Sequence, residues 1–308
     1  MERKNQTIVT KFILLGLSDD PNVQFVLFAT GLLIYMFTLA GNLVIIVLIR
    51  TNHHLQTPMY FLLSNLAFTD ICYISSTMPK MLWDLMTGNK TISFAGWAFQ
   101  MFCFLITAGT DGVLLTVMAY DRYAAICQPL HYTLLMSQPV LRWLVAMSWA
   151  IGGVNGIVDT AFVFSLDFCG PNKIVHFFCD IPPVLQLSCS DTSLAELVTF
   201  MISGGILIAS VSFIFLSYVL IVLSVLKISA AQGRIKTFST CASHLTAETI
   251  AYSTAIVMYL TPASVRSREV DRVISVLYAI ITPLLAPLIY SLKNKEMQTA
   301  LLNVLGKK

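Results

Sequence analysis

Charge is what this sequence has least of. Of its 308 residues, 11% are Asp, Glu, Lys or Arg and 56% are apolar, whereas soluble proteins carry about 25% charged residues. A soluble domain of this length needs more charge to cover its surface. A basic excess is also missing, because 19 Lys and Arg against 16 Asp and Glu leave a net charge of only +3. Without the basic field that gathers phosphates, nucleic acid is excluded as a partner. The 5 histidines are dispersed: His53 and His54 share a short inner loop, His131 and His176 fall in loops on opposite sides, and His244 stands alone. No metal triad or nucleophile–base pair results, so nothing points to an enzyme. Internal repeats, low-complexity linkers and any soluble stretch long enough for a second domain are likewise absent.

What the chain has in abundance is uncharged length. Val23 to Ile49 and Leu197 to Leu226 contain no charge and exceed the ~20 residues that cross a bilayer as a helix. Seven such stretches are predicted, at 23–49, 58–82, 95–120, 143–166, 197–226, 237–262 and 273–292. They lack the ten-residue alternation of barrel strands, so helices are the only way to pair their backbone in lipid. The expectation is an all-α, multi-pass bundle: an extracellular segment 1–22, a transmembrane domain 23–292, and a cytosolic tail 293–308 carrying a short amphipathic helix. Span one is expected to act as an uncleaved anchor, because the preceding segment lacks the features of a secretory signal. Orientation follows from the Asn5-Gln6-Thr7 sequon and from Cys169, Cys179 and Cys189 in the 163–195 loop, both suited to an oxidising exterior. A second sequon at Asn89 lies close to the membrane edge and is expected to stay unmodified.

Ionisable groups inside spans are functional candidates by default, because burying them costs several kcal/mol. Asp70, Asp111, Asp159 and Glu248 qualify. Asp70 and Asp111, with Asn42 offering an amide oxygen, make a possible sodium site, since hard cations take oxygen ligands. The alternative is that each is simply hydrogen-bonded or protonated. Asp121-Arg122-Tyr123 ends the third span and reads, taken alone, as an interfacial anchor.

Its surroundings change that reading. Met118 to Cys127 runs MAYDRYAAIC, Pro58 to Leu66 runs PMYFLLSNL, and Lys236 to His244 runs KTFSTCASH. Together with Gly41-Asn42, Ser217-Tyr218 and Pro287-Leu288-Ile289-Tyr290, these segments resemble, in order and spacing, the signatures of vertebrate odorant receptors among the rhodopsin-like G-protein-coupled receptors. The resemblance implies a bundle at the plasma membrane that binds a small, mostly apolar volatile and activates a stimulatory G protein of the olfactory type, raising cAMP. It implies a switch at Asp121, Arg122, Tyr123, Tyr218, Lys236, His244 and Tyr290, with Asp121 restraining Arg122 at rest. It also implies a pocket in the outer halves of four helices. The matching residues are Phe104, Leu105, Ala108 and Gly109, then Ile202, Ser203 and Ile206, then Tyr252, Ala255, Ile256 and Tyr259, then Val276 and Ala279. No organic cofactor is implied, and lipid is the remaining partner.

Three departures from the family pattern stand out. Trp97 occupies the place of the helix-three cysteine that should bridge to Cys179, while Cys169 with Cys189 matches the second pairing of the family's loop. Cys103 lies six residues further on, about 9 Å deeper along a helix, beyond the ~7 Å that a bridge allows between Cα atoms unless the loop dips inward. Loss of that bridge is expected to weaken folding and surface delivery. Ala286 replaces the asparagine of the helix-seven motif, and Glu248 puts a carboxyl where a small or apolar residue is usual. A non-signalling or poorly folding receptor-like protein is therefore the alternative reading. A seven-helix transporter is a more distant one, and a retinal pump is disfavoured because the last span holds no lysine.

Overall fold

The computed structural model describes residues 11–18, 20–169, 172–174, 177–178, 181–227, 231–260, 268–292, 295–304 and 306. Among the described residues seven long helices form the bundle, and several of their starts are written in local chemistry. Helix α1, Pro21–Thr51, opens with proline at its first position and with Asp20 Oδ1 accepting from Asn22 N at 2.8 Å, which satisfies one of the free amides of the first turn. Helix α2, Pro58–Thr87, also begins on proline and closes at Gly88, whose φ of 69° requires a residue without a Cβ. Helix α3, Phe94–Cys127, is capped by Ser93 Oγ, which accepts from Gly96 N at 3.1 Å.

Helix α4 is Gln138–Phe164 and α5 is Ser193–Leu226, the latter with a π-helical turn at Phe200–Gly204. Helix α6 is Ala231–Leu260. Helix α7 runs from Arg268–Val276 through a π-helical turn at Leu277–Ile281 to Thr282–Leu292. The predicted tail helix is present as α8, Lys295–Val304. It docks by burying Met297 and Ala300, and the Tyr60 hydroxyl donates to Glu296 Oε2 at 2.8 Å.

Four of these helices, α1, α3, α4 and α5, are long and apolar enough to cross a membrane on length and composition alone. The other three complete the bundle beside them and carry several of the polar groups. The polarity of the bundle is inverted relative to a water-soluble protein. Phe25, Leu33, Phe99 and Phe215 point outward at about 70% exposure, whereas Asn42, Asp70, Asp159 and Glu248 are buried. Lipid as the outer solvent accounts for both halves of that pattern.

The seam between α3 and α4 depends on missing side chains. A Cβ at Gly156 would sit 2.5 Å from Ile106 Cγ1, and one at Gly152 would sit 2.5 Å from the Ile106 carbonyl oxygen. Small residues let membrane helices approach closely where the hydrophobic effect gives no drive between them. At the outer end a small sheet is added to the all-α bundle. A three-stranded sheet of β1 (Lys11–Leu14), β2 (Thr91–Ser93) and β3 (Lys173–Ile174) runs in the order β2-β1-β3. It is antiparallel between β1 and β2, with Lys11 opposite Ser93, and parallel between β1 and β3. Outside the lipid the backbone can pair across segments, and the N-terminal strand does so.

Candidate functional site

The cavity of the bundle encloses about 120 Å³ between α2, α3, α4, α5, α6 and α7, on the scale of the ~150 Å³ cavity that takes a benzene ring. Eight of the thirteen residues expected to line a pocket do line it. Leu105, Ala108 and Gly109 come from α3, Ser203 and Ile206 from α5, and Tyr252, Ala255 and Tyr259 from α6. Phe104, Ile202, Ile256, Val276 and Ala279 lie outside its lining. Phe104 instead packs into an aromatic roof with ring centroids 5.0 Å from both Tyr73 and Phe178 and 5.7 Å from Tyr278. Within the π-helical turns of α5 and α7, Ser203 and Tyr278 face the cavity while Ile202 and Ala279 do not.

The structure adds wall that the sequence reading missed. Asn155 reaches the cavity from α4, Tyr73 from α2, and Tyr278 from the π-helical turn of α7. Asp70 and Asp111 form part of the floor, so the apolar chamber and the proposed cation site are one continuous space. Asp70 Oδ2, Asp111 Oδ1 and Asn42 Oδ1 are buried oxygens with no hydrogen-bond partner among the described residues. The Asn42 amide nitrogen donates to the carbonyls of Thr38 at 3.1 Å and Pro283 at 3.4 Å. Below this floor the Tyr252 hydroxyl donates to the Gly112 carbonyl at 2.6 Å and lies 3.4 Å from Thr116 Oγ1, tying α6 to α3.

At the inner end of α3 the Tyr132 hydroxyl donates to Asp121 Oδ1 at 2.9 Å. Among the described residues the only ion pair is Lys80 with Asp84; Asp121 feels the charge of Arg122 at longer range. Arg122 Nε and Nη2 are buried with no partner among the described residues. Cys241 on α6 feels the charges of both Arg122 and Glu248, and Glu248 faces the Tyr218 hydroxyl. Tyr218 and the unexpected carboxyl thus belong to the inner polar region between α3, α5 and α6. The side chains of Lys236, His244, Ala286 and Tyr290 lie outside the described residues, as do Asn5 and Cys179.

Trp97 is fully buried against Phe12, Phe94, Phe164 and Phe168, with centroids 5.1, 5.2, 6.1 and 5.7 Å away. Where a bridge was expected, an aromatic cluster joins the top of α3 to α4, the outer loop and strand β1. Cys169 and Cys189 are paired, with Cα atoms 5.8 Å apart, and Cys103 is free.

The family model for the olfactory receptor matches residues 32–308. Human olfactory receptor 5A2 is 52% identical over 298 residues, covering 97% of this chain and 92% of the relative. Mouse olfactory receptor 5AP2 is 50% identical over 305 residues, covering 99% and 96%. The crystal structure of squid rhodopsin superposes with a TM-score of 0.72 over 94% of this chain and 87% of its own, at 17% identity, and so shares the fold. The chain belongs to the olfactory receptor family, multi-pass receptors of the plasma membrane with the rhodopsin-like fold.

Proposed function

We propose that this receptor takes a small, mostly apolar odorant into the cavity beneath Phe104 and, when it is bound, activates a stimulatory G protein of the olfactory type to raise cAMP. The observation that carries this reading is the pairing of a mostly apolar chamber with Arg122 on the same helix, whose Nε and Nη2 are buried without hydrogen-bond partners among the described residues. Buried donor atoms of a charged group left without hydrogen bonds are unfavourable. A rearrangement that opens the inner end and gives Arg122 acceptors on a G protein lowers that energy. A ligand that binds the open arrangement more tightly shifts the population towards it. Burial of the odorant supplies its affinity, at about 25 cal/mol per Å² of apolar surface.

The floor of the cavity supports sodium as a modulator. Asp70 and Asp111 would hold the ion with Asn42, and three buried oxygens without hydrogen-bond partners are the chemistry a hard cation seeks. Its effect is then to neutralise the carboxyl pair and hold the closed arrangement.

The test is cAMP in a heterologous cell expressing the intact chain, exposed to an odorant panel, with surface receptor measured in parallel. At least one apolar odorant is expected to raise cAMP, and Arg122→Ala is expected to abolish the response at unchanged surface level. A well-expressed receptor silent across the panel, or a response that survives Arg122→Ala, contradicts the proposal.

A further inference from the structure

The α4 wall of the cavity holds a polar group whose hydrogens do not match its acceptors. Ser203 Oγ lies 2.7 Å from Asn155 Oδ1 and 2.6 Å from Asp159 Oδ2. A serine hydroxyl has one hydrogen, so it can serve only one of the two. The amide of Asn155 is oriented by its other end, because Nδ2 donates to the Leu105 carbonyl at 3.3 Å. Asn155 and Asp159 are 3% and 0% exposed, and Asp159 Oδ1 has no hydrogen-bond partner. Asn155 and Ser203 border the cavity, and Asp159 stands behind them.

Hydrogen bonds to an ionised acceptor are roughly twice as strong as neutral ones. Ionised, Asp159 takes the Ser203 hydrogen, and Asn155 Oδ1 faces the cavity without a donor; protonated, Asp159 would itself donate to Ser203 Oγ and release that hydrogen to Asn155, so the open acceptor belongs to the ionised form. Lining atoms that are buried and unsatisfied are what a ligand hydroxyl repairs. An ether or ketone oxygen in the same place sets acceptor against acceptor.

We propose that Asn155 Oδ1 receives the hydroxyl hydrogen of a small aliphatic alcohol bound in the cavity, and that Asp159, acting through Ser203, is the positioning residue that keeps this acceptor open. The inference rests on the odorant-binding reading above and narrows its ligand class to hydrogen-bond donors on an apolar body. With an amide at position 159 the relay closes. The new N–H donates to Ser203 Oγ, the Ser203 hydrogen passes to Asn155 Oδ1, and the ligand hydroxyl loses its acceptor.

The test is binding, read by thermal stabilisation of the purified full-length receptor in lipid nanodiscs. The probes are the linear alcohols from pentanol to octanol and their isomeric dialkyl ethers, which match them in atoms and differ in the donor. The intact receptor is expected to bind alcohols about tenfold more tightly than ethers, the equivalent of one net hydrogen bond. Asp159→Asn is expected to bring that ratio close to one. Ser203→Ala is expected to retain the preference, and adding Asp159→Asn to Ser203→Ala to change it no further, which a merely structural aspartate would not produce. Equal binding of alcohols and ethers by the intact receptor, binding of neither series, or an unchanged ratio in Asp159→Asn overturns the proposal. If Asp159→Asn does not fold, the ratio in the intact receptor and in Ser203→Ala still decides it. Failure here leaves the signalling measurement untouched, because cAMP is not the readout.

Discussion

Trp97 carries more structural consequence than any other single departure from the family pattern. Its ring is fully buried among four phenylalanines, so removing it leaves a void at the top of α3. Large-to-small changes of this kind cost about 3–5 kcal/mol. Trp97→Cys is therefore expected to lower surface expression and thermal stability, even though it restores the family's residue, whereas Trp97→Phe is expected to fall between the two. Thermal unfolding of the purified variants checks this ordering. A Trp97→Cys protein more stable than the parent contradicts it. At the floor of the cavity, replacing N-methylglucamine with sodium is expected to raise the melting temperature of the intact receptor. Asp70→Asn is expected to flatten that response, since it removes a carboxyl from the cavity floor that it shares with Asp111.

Helix seams and the outer sheet decide how these residues are held. The approach of α3 to α4 leaves no room for a Cβ at Gly152 or Gly156. Gly156→Leu is thus expected to separate the two helices, carry Asn155 away from Ser203, and abolish surface expression; a cell-surface epitope assay measures it. At the outer end, Phe12 is fully buried and strand β1 lies between β2 and β3. Phe12→Ala is expected to cost about 3–5 kcal/mol, observed as a lower melting temperature, while a substitution of exposed Leu130 is expected to leave stability unchanged.

The helices themselves were legible in the sequence, because uncharged runs longer than a bilayer leave few alternatives. All seven predicted spans coincide with helices, although α2 extends to Thr87 and α3 to Cys127, past the first charged residues. Asp84 tolerates that extension because Lys80 pairs with it one turn away. The β1 strand was not legible. Lys11–Leu14 is too short for a clear alternation, and its partners lie about 80 and 160 residues along the chain. The candidate site divided the same way. Leu105, Ala108 and Ala255, positions implied by the family resemblance, border the cavity. Asn155 is not marked in the sequence, because nothing in its neighbourhood sets it apart from other small polar residues of a membrane helix.

As a whole the molecule is an apolar shell around a polar axis. From the cavity floor at Asp70 and Asp111, through Tyr252 bound to α3, to Glu248, Tyr218 and Arg122, buried polar groups connect the ligand chamber to the inner face. Such a column is costly to bury and is stable only when its members find partners. Two arrangements of the same groups, one closed and one with Arg122 satisfied by a G protein, give the ligand something to choose between. Glu248→Val, which removes a carboxyl from the column beside Tyr218, is expected to change basal cAMP without changing odorant affinity.

In the proposed function, occupancy of this cavity drives signalling through Arg122. The decisive measurement is agonist-evoked cAMP from Ala255→Trp, which fills the chamber with a side chain, beside the intact receptor and Arg122→Ala, all at matched surface levels. Ala255→Trp is expected to lose the response to every agonist of the intact receptor, just as Arg122→Ala does, while remaining folded at the cell surface. An Ala255→Trp receptor that answers the same odorants with unchanged potency would place the ligand elsewhere and contradict the proposal.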